Sequence, residues 1–126
     1  METKTNIEEV DNSRVVEITH MEQLIKVSQL PNLIIIDFSA TWCGPCQEMK
    51  PYFKDLSIIY QDCIFLKVDI DNEESQELSE YFEIESLPTF AFIKNTNIFY
   101  KLTGSQKELL KNKIEEYNND NKYVNI

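Results

Sequence analysis

A chain of 126 residues, 42% of them hydrophobic, has room for one globular core and too little for two ordinary domains. Its net charge of −10 argues against nucleic acid and against anionic membrane surfaces as partners, and no apolar run reaches the length of a bilayer span. The polar, acidic first twelve residues resemble neither a secretory signal nor an Arg-rich transit peptide, so a cytoplasmic location is expected, where thiols are kept reduced.

In chain order, residues 1–12 are expected to form a flexible acidic tail and residues 13–118 a single domain, with a polar tail over 119–126. Residues 14–18 read as a short strand. Thr19 and Glu22 have the spacing of a capping box, opening a helix that carries Met21, Leu24 and Ile25 at helical spacing and stops at Pro31 and Asn32. His20 is read as a surface residue, because nothing with which it could form a site lies nearby in sequence. Residues 33–39 are apolar on both faces, the pattern of a central parallel strand. Asp37 interrupts that run, where an unpaired charge is expensive. Burial would raise its pKa and make it a proton acceptor near neutrality; the alternative is that it marks an exposed strand end.

Trp42-Cys43-Gly44-Pro45-Cys46 follows directly, at the junction between that strand and an amphipathic segment ending near Tyr60. With a helix starting near Cys43, the two cysteines stand three apart on one face, within reach of a disulfide. So small a ring is a poor structural staple and better suited to exchange. Cys43, at the helix start, meets unpaired N–H groups and the positive end of the dipole, which favour an accessible thiolate nucleophile. Cys46 lies one turn in, sheltered, as the resolving thiol. Pro45 suits a first helical turn, and Gly44 lets another backbone approach closely. A lone C-x-x-C can also be half of a zinc site, but the only further ligands of that kind, Cys63 and His20, lack finger spacing, and no metal is expected. Trp42 reads either as core packing or as part of a docking surface.

Met49, Tyr52, Phe53, Leu56 and Ile59 mark the inner face of the helix, with Pro51 kinking rather than ending it. Residues 63–68 form the next strand, and Cys63 at its start reads as a buried, inert thiol. Asn72 can cap a helix that turns Leu78, Tyr81 and Phe82 inward. Residues 69–85 hold eight acidic side chains and no Lys or Arg, read as a solvated face or as a field that selects basic partners. Residues 89–93 and 98–102 make a hairpin through an asparagine-containing turn. Ser105 and Glu108 spell a second capping box for a last helix carrying Leu110, Ile114 and Tyr117 on one face. The element order predicts an α/β domain, a mixed central sheet with helices on both faces.

Three segments agree in order and spacing with one family. Residues 37–46 resemble the active-site segment of thioredoxins, of the eukaryotic cytosolic type. Leu87-Pro88-Thr89-Phe90 resembles the family's cis-proline segment, and Gly104 matches a glycine placed beside the active site. The resemblance spans about residues 14–118 and implies the thioredoxin fold. It implies that Asp37 takes the proton of Cys46, with Lys67 nearby on the adjacent strand. It implies too that Pro88 is cis, turning the Leu87 backbone toward Cys43 for strand addition by substrate, with Trp42, Leu87 and Gly104 as the docking patch.

The function so implied is reduction of protein disulfides through a redox-active Cys43–Cys46 pair, with Pro45 as the mark of reducing rather than oxidising members. No cofactor would be bound, and electrons would come from NADPH through a thioredoxin reductase. Peroxiredoxins, methionine sulfoxide reductase and ribonucleotide reductase are the implied recipients. The late regulatory cysteines of some relatives have no counterpart, so a monomer is expected. The other reading is a redox-switched binding module that uses the Trp42/Pro88 surface with little turnover.

Overall fold

A computed structural model describes residues 11–119. The tails expected at 1–12 and 119–126 therefore lie outside the described residues, apart from their inner ends. At the first of these Asp11 pairs with Lys54 at 3.0 Å, and just inside the domain the Arg14 amide donates to Ser57 Oγ at 2.9 Å.

The elements are β1 (Val15–Glu17), α1 (Met21–Val27), β2 (Ile34–Ser39), α2 (Gly44–Ile59), β3 (Ile64–Asp69), a 3-10 turn (Glu73–Ser75), α3 (Gln76–Tyr81), β4 (Thr89–Lys94), β5 (Asn97–Thr103) and α4 (Lys107–Asn119). One five-stranded sheet has the order β1-β3-β2-β4-β5. The first three strands run parallel, and β4 and β5 add antiparallel as a hairpin. This is the mixed, two-sided sheet predicted from the element order.

Alternation along the strands sends successive side chains to opposite faces. On one face Ile35, Phe65, Phe90 and Phe92 pack under Met49, Phe53 and Leu56 of α2 and Leu110 and Ile114 of α4. On the other, Ile34, Ile36, Phe38, Leu66 and Ala91 pack under Leu24 of α1, Leu78 of α3 and Phe82 just after it. Both faces of β2 are covered, which is why its sequence is an apolar run rather than an alternation.

Several local expectations are corrected. The first capping box sits one residue later than Thr19 and Glu22 would place it: His20 is the N-cap, and the Gln23 carboxamide accepts from the amides of both Thr19 and His20 at 2.8 and 2.9 Å. Gln23 satisfies two orphan donors at once, which Glu22 could not do from its position. The last helix likewise starts one residue later than a Ser105 cap requires, and the Leu110 amide donates to the Gln106 carbonyl. Ile59 and Tyr81 point outward, 61% and 58% exposed, because each is the last residue of its helix and has drifted off the buried stripe. Pro51 does lie within α2, which continues past it to Ile59.

Candidate active site

The C-terminal end of β2 and the first turn of α2 place the two cysteines. Cys43 is the N-cap of α2, in extended geometry (φ −88°, ψ 114°), and Pro45 falls in the first turn, where its missing N–H costs nothing. The backbone amide of Cys46 donates to Cys43 Sγ at 3.2 Å. A helix-start N–H thus points at the sulfur, the local arrangement that favours negative charge there. The two sulfurs are joined in a disulfide with the Cα atoms 5.2 Å apart, inside the usual range for such a bridge.

An accessible Cys43 beside a sheltered Cys46 is not what exposure alone reports: the residues are 5% and 2% exposed. The inequality lies in what each faces. Cys43 borders an outer groove of about 480 Å³, formed with Trp42, Pro45, Ile70, Ile84 and Leu87 and edged by Glu85. Cys46 borders a separate cleft of about 170 Å³, into which Asp37 and Lys67 also project. One sulfur looks toward an apolar surface groove, and the other toward a smaller cleft lined by ionisable side chains.

Asp37 is not at an exposed strand end. It is the fourth residue of β2, 6% exposed, and its Oδ1 is fully buried without a hydrogen-bond partner. Burial pushes its carboxyl up to about 7, against a smaller lowering by the Lys67 ammonium. Lys67 is its register partner on β3 but forms no salt bridge with it among the described residues.

Trp42 is not core: it is 69% exposed, and its indole Nε1 donates to Asp71 Oδ2 at 2.7 Å. Asp71 itself is steadied by Asp69, whose Oδ1 accepts from the Asp71 amide at 3.0 Å. The ring therefore stands fixed at the mouth of the groove. The Leu87–Pro88 peptide bond is cis, and Leu87 lines the groove beside Cys43. The Gly104 amide donates to the Pro88 carbonyl at 2.9 Å, and its φ of +87° is one that glycine adopts without strain. At Gly44 a Cβ would meet nothing of this chain, so the space there is open to an incoming molecule rather than to a neighbouring segment.

The structure thus brings Trp42, Cys43, Gly44, Pro45 and Leu87 to one groove, and Cys46, Asp37 and Lys67 to the cleft behind it. Pro88 and Gly104 are joined by their own hydrogen bond alongside. Two contributors escaped the sequence reading. Asp71 was visible only as one acid among eight. Gln47, whose side-chain amide donates to the Ala40 and Thr41 carbonyls at 3.4 Å, ties the loop before Cys43 to the helix after it. Neither has a spacing signal, since each acts through a contact set by the fold. Cys63 is buried away from the site, its thiol pushed up to about 12 chiefly by desolvation, and no three potential metal-ligating side chains gather among the described residues.

Residues 14–116 match the family model described as Thioredoxin. Human thioredoxin is 43% identical over 84 residues, covering 67% of this chain and 78% of that protein. Thioredoxin H1 of Arabidopsis thaliana is 37% identical over 99 residues, covering 79% and 85%. Among solved structures, thioredoxin NaTrxh from Nicotiana alata superposes with a TM-score of 0.79 at 32% identity, covering 87% of this chain and 97% of that one. A chain from the complex of ferredoxin:thioredoxin reductase with thioredoxin f2 gives 0.76 at 30% identity, covering 86% and 98%. A chain from a study of thiol resolution in yeast mitochondrial 1-Cys peroxiredoxin via glutathione/thioredoxin systems gives 0.77 at 29%, covering 83% and 99%.

Proposed function

The chain belongs to the thioredoxin family and is a dithiol–disulfide oxidoreductase, and on that premise we propose that its two cysteines divide the reduction of protein disulfides between them. The observation that carries the division is the pair of cavities: Cys43 opens to the groove, and Cys46 to the Asp37 cleft.

The Cys43 thiolate attacks one sulfur of a substrate disulfide, forming a mixed disulfide and releasing the other sulfur as thiolate. The Cys46 thiol gives its proton to the Asp37 carboxylate through a water in the cleft, and its sulfur attacks Cys43 Sγ. The mixed bond breaks, the second substrate thiol leaves, and the Cys43–Cys46 disulfide remains. Substrate gains two electrons and the protein loses two. Asp37 suits this step because a carboxyl near 7 is basic enough to accept a proton at neutral pH and, among the described residues, is not held by a salt bridge.

Leu87 offers backbone beside Cys43 to an extended substrate strand, with Trp42 as an apolar wall. The dithiol is regenerated by a thioredoxin reductase drawing on NADPH, and the protein works in the cytoplasm as a monomer. Peroxiredoxins, methionine sulfoxide reductase and ribonucleotide reductase are the proposed recipients. A ferredoxin:thioredoxin reductase and a peroxiredoxin are named with the structures of similar chains, which supports a reductase and a peroxiredoxin as partners. A binding module with little turnover would use the same groove but has no need of the proton-accepting cleft behind it.

Insulin reduction in the presence of dithiothreitol separates the two. Turbidity that develops well ahead of the blank is expected, and a trace matching the blank rejects the reductase.

A further inference from the structure

The cleft behind Cys46 holds charged groups that the mechanism above leaves unused, Glu17 among them. Glu17 on β1 is the register partner of Lys67 on β3, and Lys67 is in turn the register partner of Asp37 on β2. Partners in parallel strands project to the same face, so carboxylate, ammonium and carboxyl form one row across three adjacent strands. All three line the same cleft. Glu17 is exposed at the edge strand while Asp37 is buried, and Lys67 between them is half-buried and salt-bridged to neither among the described residues.

The geometry points to Glu17 as a positioning residue for the proton transfer: it draws the Lys67 ammonium toward the open side of the cleft and so keeps Asp37 free to accept the Cys46 proton. The inference rests on the role given to Asp37 above. A lysine committed to Asp37 would stabilise the carboxylate and make it a poorer base. A carboxylate on the far side of that lysine offers it a second partner, one that is better solvated and cheaper to pair with. Both consequences of Glu17 have the same sign. Its attraction for Lys67 and its own negative charge each favour the protonated form of Asp37. The remaining charged groups of the cleft are Lys50 on α2 and Asp69 at the end of β3, which stay in place in every variant below and cancel in the differences.

The test is the carboxyl carbon-13 NMR titration of Asp37 in the reduced protein, in which loss of fold shows separately as a midpoint near the ordinary value of 3.8. Glu17→Gln is expected to lower the Asp37 midpoint by about half a pH unit, the size set by one partly exposed charge pair. The pH profile of mixed-disulfide resolution should move down by the same amount. Lys67→Met should raise the midpoint, and in that background Glu17→Gln should retain less than half of its effect. An Asp37 midpoint indifferent to Glu17→Gln overturns the inference. So does a shift of equal size with and without Lys67, because Glu17 would then act as a distant charge and not through the lysine. The titration needs no turnover, so a failure of insulin reduction would reject the reductase reading without deciding this one.

Discussion

At Cys43 and Cys46 the chemistry comes down to which of two sulfurs meets the substrate. Cys46→Ser should leave a stable mixed disulfide on Cys43, visible as a covalent adduct on non-reducing gels, whereas Cys43→Ser should leave none. Equal capture by the second variant would reverse the assignment of roles. Asp37 makes a different prediction, about stability. Its carboxyl ordinarily titrates near 3.8 and is raised to about 7 in the folded protein, so between those values the native state holds a proton that the unfolded chain has released. The native state binding more protons means that stability falls as pH rises through this window. Asp37→Asn removes the penalty, and thermal melting should find the variant more stable at pH 8 by on the order of 3 kcal/mol, with the gap closing toward pH 4. The same substitution should flatten the rise of the resolving rate through pH 7, so that stability and activity move in opposite directions.

Single elements carry predictions of their own. The β4–β5 turn has Asn95 and Thr96 both at positive φ, 53° and 67°. That is the backbone of a tight two-residue hairpin turn, for which asparagine followed by glycine is the favoured pair. A β-branched threonine in the left-handed region is strained, and Thr96→Gly should stabilise the protein by about 1 kcal/mol, read as a higher urea midpoint with an unchanged slope. The segment from Asp69 to Glu85 borders the groove near its two ends, through Ile70 and through Ile84 and Glu85, and none of its carboxylates is salt-bridged among the described residues. Two disulfide peptides that differ only in carrying lysines or glutamates beside the reactive bond should therefore be reduced at different rates. The basic one should be favoured several-fold at low salt, with the difference shrinking as ionic strength rises. Equal rates at low salt would assign the segment to solvation alone.

Across the whole molecule, two apolar layers hold the sheet rigid while the site sits at one end of it. Phe92 is fully buried and meets Phe99, Tyr100 and Tyr117 edge-on, tying the hairpin to α4. Phe92→Ala should cost about 3–5 kcal/mol of unfolding free energy, measured by denaturant titration. It should leave the local geometry of Cys43 and Cys46 in the surviving folded fraction intact, because that end of the sheet is covered by other side chains: Ala40, Ile70 and Leu87 pack directly against the pair. A loss of activity per folded molecule would show instead that the two ends are coupled.

Much of this was legible in the chain. An apolar run that ends in Trp-Cys-Gly-Pro-Cys and passes into helical spacing determines strand, junction and helix by local rules, and with them the unequal positions of the two sulfurs. Asp37 announced itself as a charge inside a strand that had no room for one. Helix ends were less legible, since His20 and Gln106 became caps through small shifts worth little energy, and Ile59 and Tyr81 fell just beyond the buried stripe. What the tertiary structure decided was every contact between residues far apart in the chain. The indole of Trp42 is held by Asp71, Gly104 is bonded to Pro88, and Glu17, Lys67 and Asp37 share a row only because β3 lies between β1 and β2. Periodicity specifies which face of an element is buried, but strand order is settled by packing both faces of the sheet at once, and the charges that meet in one cleft follow from that order.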